Sequence, residues 1–292
     1  MGLLGSSAAV CPACDRFPIV EIRRLVLRLC HLNRVQSPII NRARQDLAWQ
    51  FPEAALVLAV RSSEKVPLFW GWLCGQRPSV RYDLMLEQSI GLGIDEGVRL
   101  HAARICDIQR EEMVLEFELS KLVSEPQFVP YRKVFARFGF GRRVEAILLS
   151  QIFPLENYLA ADGLPEVRIR TGRKSGKPTK RHLSLHRFMK AVGCAPTQQS
   201  SGDLQKSKVI GGSDLCRVAL WQWVFTRIEP QRARLKNEIG SRLGEIMDAE
   251  KPSARPVRLV RSRVAASSVK LLFKELVHEL VYCQISNLES KI

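Results

Sequence analysis

The chain has 292 residues, 46% of them hydrophobic, enough apolar material for one large or two ordinary folded domains. Its 45 Lys and Arg against 29 Asp and Glu give a formal net charge of +16, an excess that points to a polyanionic partner, because such side chains displace counterions from phosphate backbones. The longest apolar run, Ala54 to Val60, is far short of the roughly 18 to 20 residues of a spanning helix, so no membrane-spanning helix is expected, while a ribosomal, membrane-surface or simply basic soluble protein would share the charge.

Residues 1–17 carry no periodic pattern and read as an unstructured lead-in. The opening MGLLGSSAAVC lacks a basic n-region, and Val10 stands where an exported lipoprotein has a small residue before its cysteine. A cytoplasmic protein is therefore expected. Of the eight cysteines, only Cys11 and Cys14 have metal-like spacing. No second such pair completes a zinc site, and His31 lies inside a helical pattern. Reduced thiols and no metal site are expected.

From Pro18 the pattern is helical. Ile22, Leu25, Leu29 and Leu32 recur at three- and four-residue spacing among arginines. Ser37-Pro38 predicts a kink or a new helix start, after which Ile39, Ala43 and Leu47 extend the stripe to Phe51-Pro52. Short helices and loops are expected over 53–94. A second long helix is predicted from Asp95 to Val123, with Leu100, Ala103, Cys106, Met113 and Phe117 as its stripe. The two long helices make a helical arm over 18–125, an ordinary hairpin or a coiled coil.

A boundary at Ser124-Glu125-Pro126 opens a second unit, 126–230. Its middle, 166–190, is crowded with cations and holds a single acid, Glu166. The stretch RTGRKSGKPTKRH reads as a solvated loop, with Arg173, Lys174, Lys177, Lys180 and Arg181 as phosphate contacts. Residues 231–292 read as a basic helical tail, with a Pro-punctuated linker, EKPSARP, before an amphipathic helix from Val264 to Val281.

Three motifs in this part carry chemistry. Phe138-Gly139-Phe140-Gly141 precedes RRVEAILLSQI. Two glycines opening an apolar helix suit a helix-hairpin-helix turn that lets backbone N–H groups meet a phosphate, with Arg142 and Arg143 adding charge. A plain interhelical turn would look the same. The second motif, Gly193-Cys194-Ala195-Pro196-Thr197-Gln198-Gln199-Ser200-Ser201-Gly202, reads by itself only as a loop, since neither His182 nor His186 is tied by spacing to a serine. The third, Gly211-Gly212-Ser213 before DLCRVALWQWVF, is a glycine turn with a cap and an apolar helix. Its Trp221, Trp223 and Phe225 either stack on bases or fill a core.

Taken in this order, the three motifs resemble the C-terminal transposase domain of insertion-sequence family one-ten, grouped with one-sixteen and nine-oh-two. The stretch SPIINRARQDLAWQFPE resembles that family's middle region, and the likeness covers about residues 18 to 230. It implies a mainly α protein: a helical arm, a transposase domain bearing a helix-hairpin-helix, then the basic tail. It implies DNA recombination in which Ser201 attacks a phosphodiester to form a covalent phosphoserine, with DNA and a guide RNA as partners. Gly139 and Gly141 would form the hairpin turn, while Gly211, Gly212 and Arg217 belong to the third motif, with Arg217 on a phosphate. Homo-oligomers would form through the arm.

The chain departs from that family in three places. Glu145 stands where a small residue is expected after the hairpin glycines, and Gly-Gly-Ser-Asp replaces a Lys-Arg-Gly-Asn stretch in the third motif. The family's N-terminal domain holds four carboxylates for magnesium, yet Asp15 is the one acid before Pro18. No cofactor is therefore expected on this chain, and magnesium is expected only with the missing acidic domain. A catalytically inactive DNA- or RNA-binding remnant is the alternative function.

Overall fold

The computed structural model describes residues 17–55, 65–171, 176, 178–195, 197–201, 204–208, 211–251 and 255–282, with residues 17, 197–201, 204–208 and 282 described by backbone alone. The chain divides into two compact units, one of residues 24–122 and the other of Val123 onward together with the start of the first helix. Helix dominates both. The only strands among the described residues form two separate two-stranded sheets. No helix among them is long and apolar enough to cross a membrane.

In the unit of residues 24–122, helix α1 (Phe17–Gln50) continues through Pro38, so no new helix starts there. Proline removes one intrahelical bond, but the buried stripe keeps its register across it, from Leu32 through Gln36 to Ala43 and Leu47. The short helices α2 (Leu68–Leu73) and α3 (Val80–Glu87) follow, then α4 (Glu96–Val123). The Asp95 carboxylate accepts from the Val98 amide at 2.8 Å at the start of α4, supplying the acceptor that a first helical turn lacks. α1 and α4 lie antiparallel, since Arg28 meets Glu111 at 2.6 Å and Asp46 meets His101 at 4.0 Å. The core joins Ala43, Leu47 and Phe51 to Phe69, Trp70, Leu73, Tyr82, Ala102 and Ile105. The face of α4 differs from the expected one. Of the expected stripe Cys106 is buried, but Leu100 and Phe117 are exposed, while Ala102, Ile105, Gln109 and Glu112 are buried.

The other unit carries the three motifs. Its elements are α5 (Val129–Arg137), α6 (Arg142–Ile152), a hairpin of β1 (Val167–Thr171) and β2 (Pro178–His182), α7 (Leu183–Ala191), a hairpin of β3 (Thr197–Ser201) and β4 (Leu204–Lys208), α8 (Asp214–Trp223), α9 (Glu238–Glu250) and α10 (Val257–Val277). Within this unit the start of α1 is pinned where Arg23 Nε donates to the Ser150 carbonyl at 2.6 Å.

Residues 231–292, expected as a separate basic tail, belong to this unit's core over their described part. α10 packs on α5, α7, α8 and α9. It buries Val260, Val264, Val269, Leu272, Phe273 and Leu276, with small Ala265 and Ser268 between them. That spread is wider than the single stripe of a surface helix. Two arginines of α10 face carboxylates: Arg261 meets Glu229 at 2.6 Å and Arg263 meets Glu250 at 3.3 Å. Lys133 reaches Glu279 at 2.7 Å and Arg137 pairs with Glu275, tying α5 to the same end of the chain.

Candidate nucleic-acid interface

The first motif joins α5 to α6. Gly139 takes a left-handed backbone at φ 58°, which glycine adopts without steric cost. A Cβ there would stand 2.6 Å from Leu235 Cδ2. Phe138 and Phe140 are buried and stacked at 5.3 Å, with Trp223 against Phe140 at 5.0 Å. The Trp223 indole N–H donates to the Phe138 carbonyl at 3.1 Å, so this tryptophan is core and not a base platform. Gly141 caps the start of α6, and nothing lies within 4 Å of where its Cβ would be. Helix N-terminal amides beside open space, next to exposed Arg142, suit an anion. Arg143 is half-buried.

Glu145 sits one turn into α6, where burial pushes its carboxyl above the ordinary range against the pull of Arg132 and Arg142. A small residue at this position would carry no such cost.

The second motif is a strand hairpin, where a loop was expected. Gly193, Cys194 and Ala195 follow α7 and are buried. β3 and β4 then pair antiparallel with Thr197 opposite Lys208 and Ser201 opposite Leu204. Ser201 is thus the last paired residue of β3, roughly 13 Å along an extended strand from Thr197.

The third motif locks against the second. A Cβ on Gly212 would overlap the Lys190 carbonyl oxygen and stand 2.6 Å from the Gly193 Cα. The Ser213 amide donates to the Ala191 carbonyl at 2.9 Å, and Ser213 Oγ accepts from the Cys216 amide at 3.2 Å, capping α8. Cys216 Sγ in turn donates to the Ile147 carbonyl of α6 at 3.5 Å. α8 therefore gathers all three motifs: α6 on one side, the end of α7 on another, and Gly211-Gly212 at its own start. Arg217, one turn into α8, is paired with Asp214.

The basic insertion is also a hairpin and not a loop. Arg173, Lys174 and Lys177 lie outside the described residues. Every residue of β1 and β2 is exposed, and Arg168 stands directly opposite Arg181, with Ile169 opposite Lys180. Like charges opposite one another in a strand pair destabilise it. Glu166 offsets part of that charge, meeting both Arg168 and Arg187 at 2.8 Å. Arg170, Lys180 and Arg181 meet no carboxylate among the described residues. An exposed ribbon with its positive charge unbalanced suits a phosphate backbone.

Between α7, α8, α9 and α10 lies a groove of about 890 Å³. Its lining joins the second motif (Gly193, Cys194, Ala195) to Arg217 and Trp221 of α8 and to Arg263 and Lys270 of α10. Reasoning from sequence missed the α10 wall. Its signal was the run Ala265-Ala266-Ser267-Ser268, four small residues in a helix, which let neighbouring elements come close. His182 and His186 also line the groove.

The buried thiols offer no nucleophile, because burial pushes Cys194 up to about 11 and Cys216 up to about 12, far from thiolate at neutral pH. Among the described residues, no three His, Cys, Asp or Glu side chains gather as metal donors. No known protein family, curated protein or solved structure matches this chain.

Proposed function

We propose that the chain handles nucleic acid and is the arm and serine-domain portion of an insertion-sequence transposase. The observation that carries this reading is the meeting of Gly139 to Gly141, Gly193 to Ala195 and Gly211 to Arg217 around α8, motifs far apart in sequence but adjacent in space. The bare cations of the β1–β2 hairpin support a phosphate partner. In the proposed reaction the Ser201 hydroxyl oxygen attacks a DNA phosphorus. An O–P bond to serine forms, the bond from phosphorus to one sugar oxygen breaks, and that oxygen leaves with the proton. A hydroxyl at another strand end then attacks the phosphoserine, rejoining DNA and freeing Ser201.

Arg217 and the start of α6, with Arg142 and Arg143, hold phosphate oxygens in this scheme. A magnesium ion, where the family's acidic domain held one, would supply Lewis-acid polarisation of the phosphate. Among the described residues of this chain, no three His, Cys, Asp or Glu side chains gather as donors for the ion. DNA and a guide RNA are the proposed partners, copies of the chain associate through the helical arm, and the protein works in the cytoplasm. The alternative is a folded DNA- or RNA-binding remnant that cuts nothing.

Covalent trapping tests the first reading. The chain is incubated with DNA from the flanks of its own gene, RNA transcribed from that flank, and magnesium, then run on a denaturing gel beside Ser201→Ala. With the family's acidic domain supplied in trans, a shifted band lost in the variant is the expected result. No band, with binding intact on a native gel, leaves the remnant in its place.

A further inference from the structure

We propose that the groove between α7, α8, α9 and α10 is a pocket for one unpaired nucleotide, its base against Trp221 and its phosphate on Arg217 and Lys270. The inference rests on the nucleic-acid reading above and goes beyond it by naming the state of the strand that this site takes.

Three observations carry it. The first is size and shape. At about 890 Å³ the groove falls in the range of sites that enclose a small ligand, a volume that suits one nucleotide and not a duplex with its bases stacked inward. The second is the division of its lining. Leu185, Met189, Ile246 and Leu259 give an apolar floor suited to the faces of a base, and the lining holds three cations, Arg217, Arg263 and Lys270, with one carboxylate, Glu250, while Asp214 pairs with Arg217 from outside it. The Glu250 carboxylate is already shared by Arg255 at 2.7 Å and Arg263 at 3.3 Å. Lys270 is exposed and meets no carboxylate among the described residues. An apolar floor under a cationic rim is the pattern that holds a base and its phosphate together.

The third observation is how Trp221 is held. The Arg261 guanidinium lies 4.8 Å from its ring and 4.4 Å from the ring of Phe225, which itself stacks on Trp221 at 6.0 Å. Glu229 fixes Arg261 at 2.6 Å. Neither Arg261 nor Phe225 lines the groove, so the indole is braced from outside while part of it borders the cavity. A braced ring loses little freedom when a base stacks on it. The exposed β1–β2 hairpin runs straight into this pocket through His182, the last residue of β2 and part of the lining. Backbone contact and base capture are therefore continuous along the chain.

The test uses the full chain and three fluorescent probes: a twelve-nucleotide oligothymidylate, a twelve-base-pair duplex, and that duplex with one unpaired thymidine in its centre. Titrations compare the wild type with Trp221→Ala, Trp221→Phe and Lys270→Ala. Trp221→Ala is expected to weaken the single strand and the bulged duplex by about tenfold, with the plain duplex changed less than about twofold. Trp221→Phe should recover most of the loss, since it keeps a stacking face.

Lys270→Ala alters an exposed side chain, so it keeps the test open if Trp221→Ala fails to fold, and it should weaken the same two probes. Photocrosslinking of the oligothymidylate should mark peptides holding His186, Trp221 or Lys270. Equal losses on all three probes, or crosslinks confined to the β1–β2 hairpin, would overturn the pocket while leaving nucleic-acid binding in place. Failure of the wild type to bind any probe would instead sink the nucleic-acid reading itself.

Discussion

Residues 24–122 and the motif-bearing unit are both helical, yet different contacts specify them. In the first, side chains meet side chains: Leu47, Phe51, Phe69, Trp70 and Ile105 fill one apolar cluster between antiparallel helices. In the second, the decisive contact is backbone on backbone, with Gly212 seated against the Lys190 carbonyl and the Gly193 Cα. A side-chain core loses stability in proportion to the volume removed, so it degrades by degrees. A glycine contact has no intermediate, because the smallest addition already overlaps. The unit of residues 24–122 therefore tolerates gradual change, and the motif unit does not tolerate it at the junction of its second and third motifs.

Substituting Gly212 tests that contrast most severely. Gly212→Ala adds a methyl group where a carbonyl oxygen stands, at a backbone φ of 75°. The expected loss is more than about 4 kcal/mol, read as the disappearance of a cooperative thermal transition in the motif unit. A soluble variant melting like the wild type would show that the junction can yield.

Leu47→Ala should cost less, about 2–5 kcal/mol, seen in urea as a lower midpoint with an unchanged slope. Leu47 is fully buried in the cluster between α1 and α4, so a loss below about 1 kcal/mol would mean that this core collapses around the gap.

The smallest effect belongs to Glu145. Burial raises its carboxyl above the ordinary value of 4.5, so folding favours the protonated form. That contribution is present below the ordinary value and lost as pH rises through the raised one. At neutral pH the ionised carboxylate is then a burden. Glu145→Gln should melt slightly higher than the wild type at pH 7.5, with the gap closing by about pH 4. A gap that widens on acidification would reverse the sign and the cause.

The same contrast explains what the sequence made legible. The α1 stripe was readable because three- and four-residue spacing of apolar side chains is a local signal, and Ile22, Leu25, Leu29, Ala43 and Leu47 are buried accordingly. The extent of α4 was readable too, to within one residue at its start. Its face was not, because Gln109 and Glu112 are buried where their own hydropathy predicts solvent.

The first hairpin was hidden by charge. Val167-Arg168-Ile169-Arg170-Thr171 alternates as a strand should, but its arginines read as a solvated loop. The junction of the motifs was out of reach for a different reason. That Gly212 rests on Lys190, twenty-two residues earlier, is a fact of tertiary packing, and glycine spacing announces a turn without saying what lies against it. The order of the motifs pointed to Ser201, while the groove that α10 completes left only a run of small residues as its trace.

The position of α10 in the chain has a consequence for how the protein comes into being. Synthesis proceeds from the N-terminus at roughly 5–20 residues per second, so all three motifs leave the ribosome before the helix that walls their groove. Until residues 257–277 emerge, Phe188 lacks Phe273, its aromatic neighbour at 5.2 Å, and Trp221 lacks the guanidinium that braces it. For an interval of roughly two to ten seconds, the nascent chain carries its hairpins without the pocket beside them. The groove is a late product of translation, assembled only when the last wall has been made.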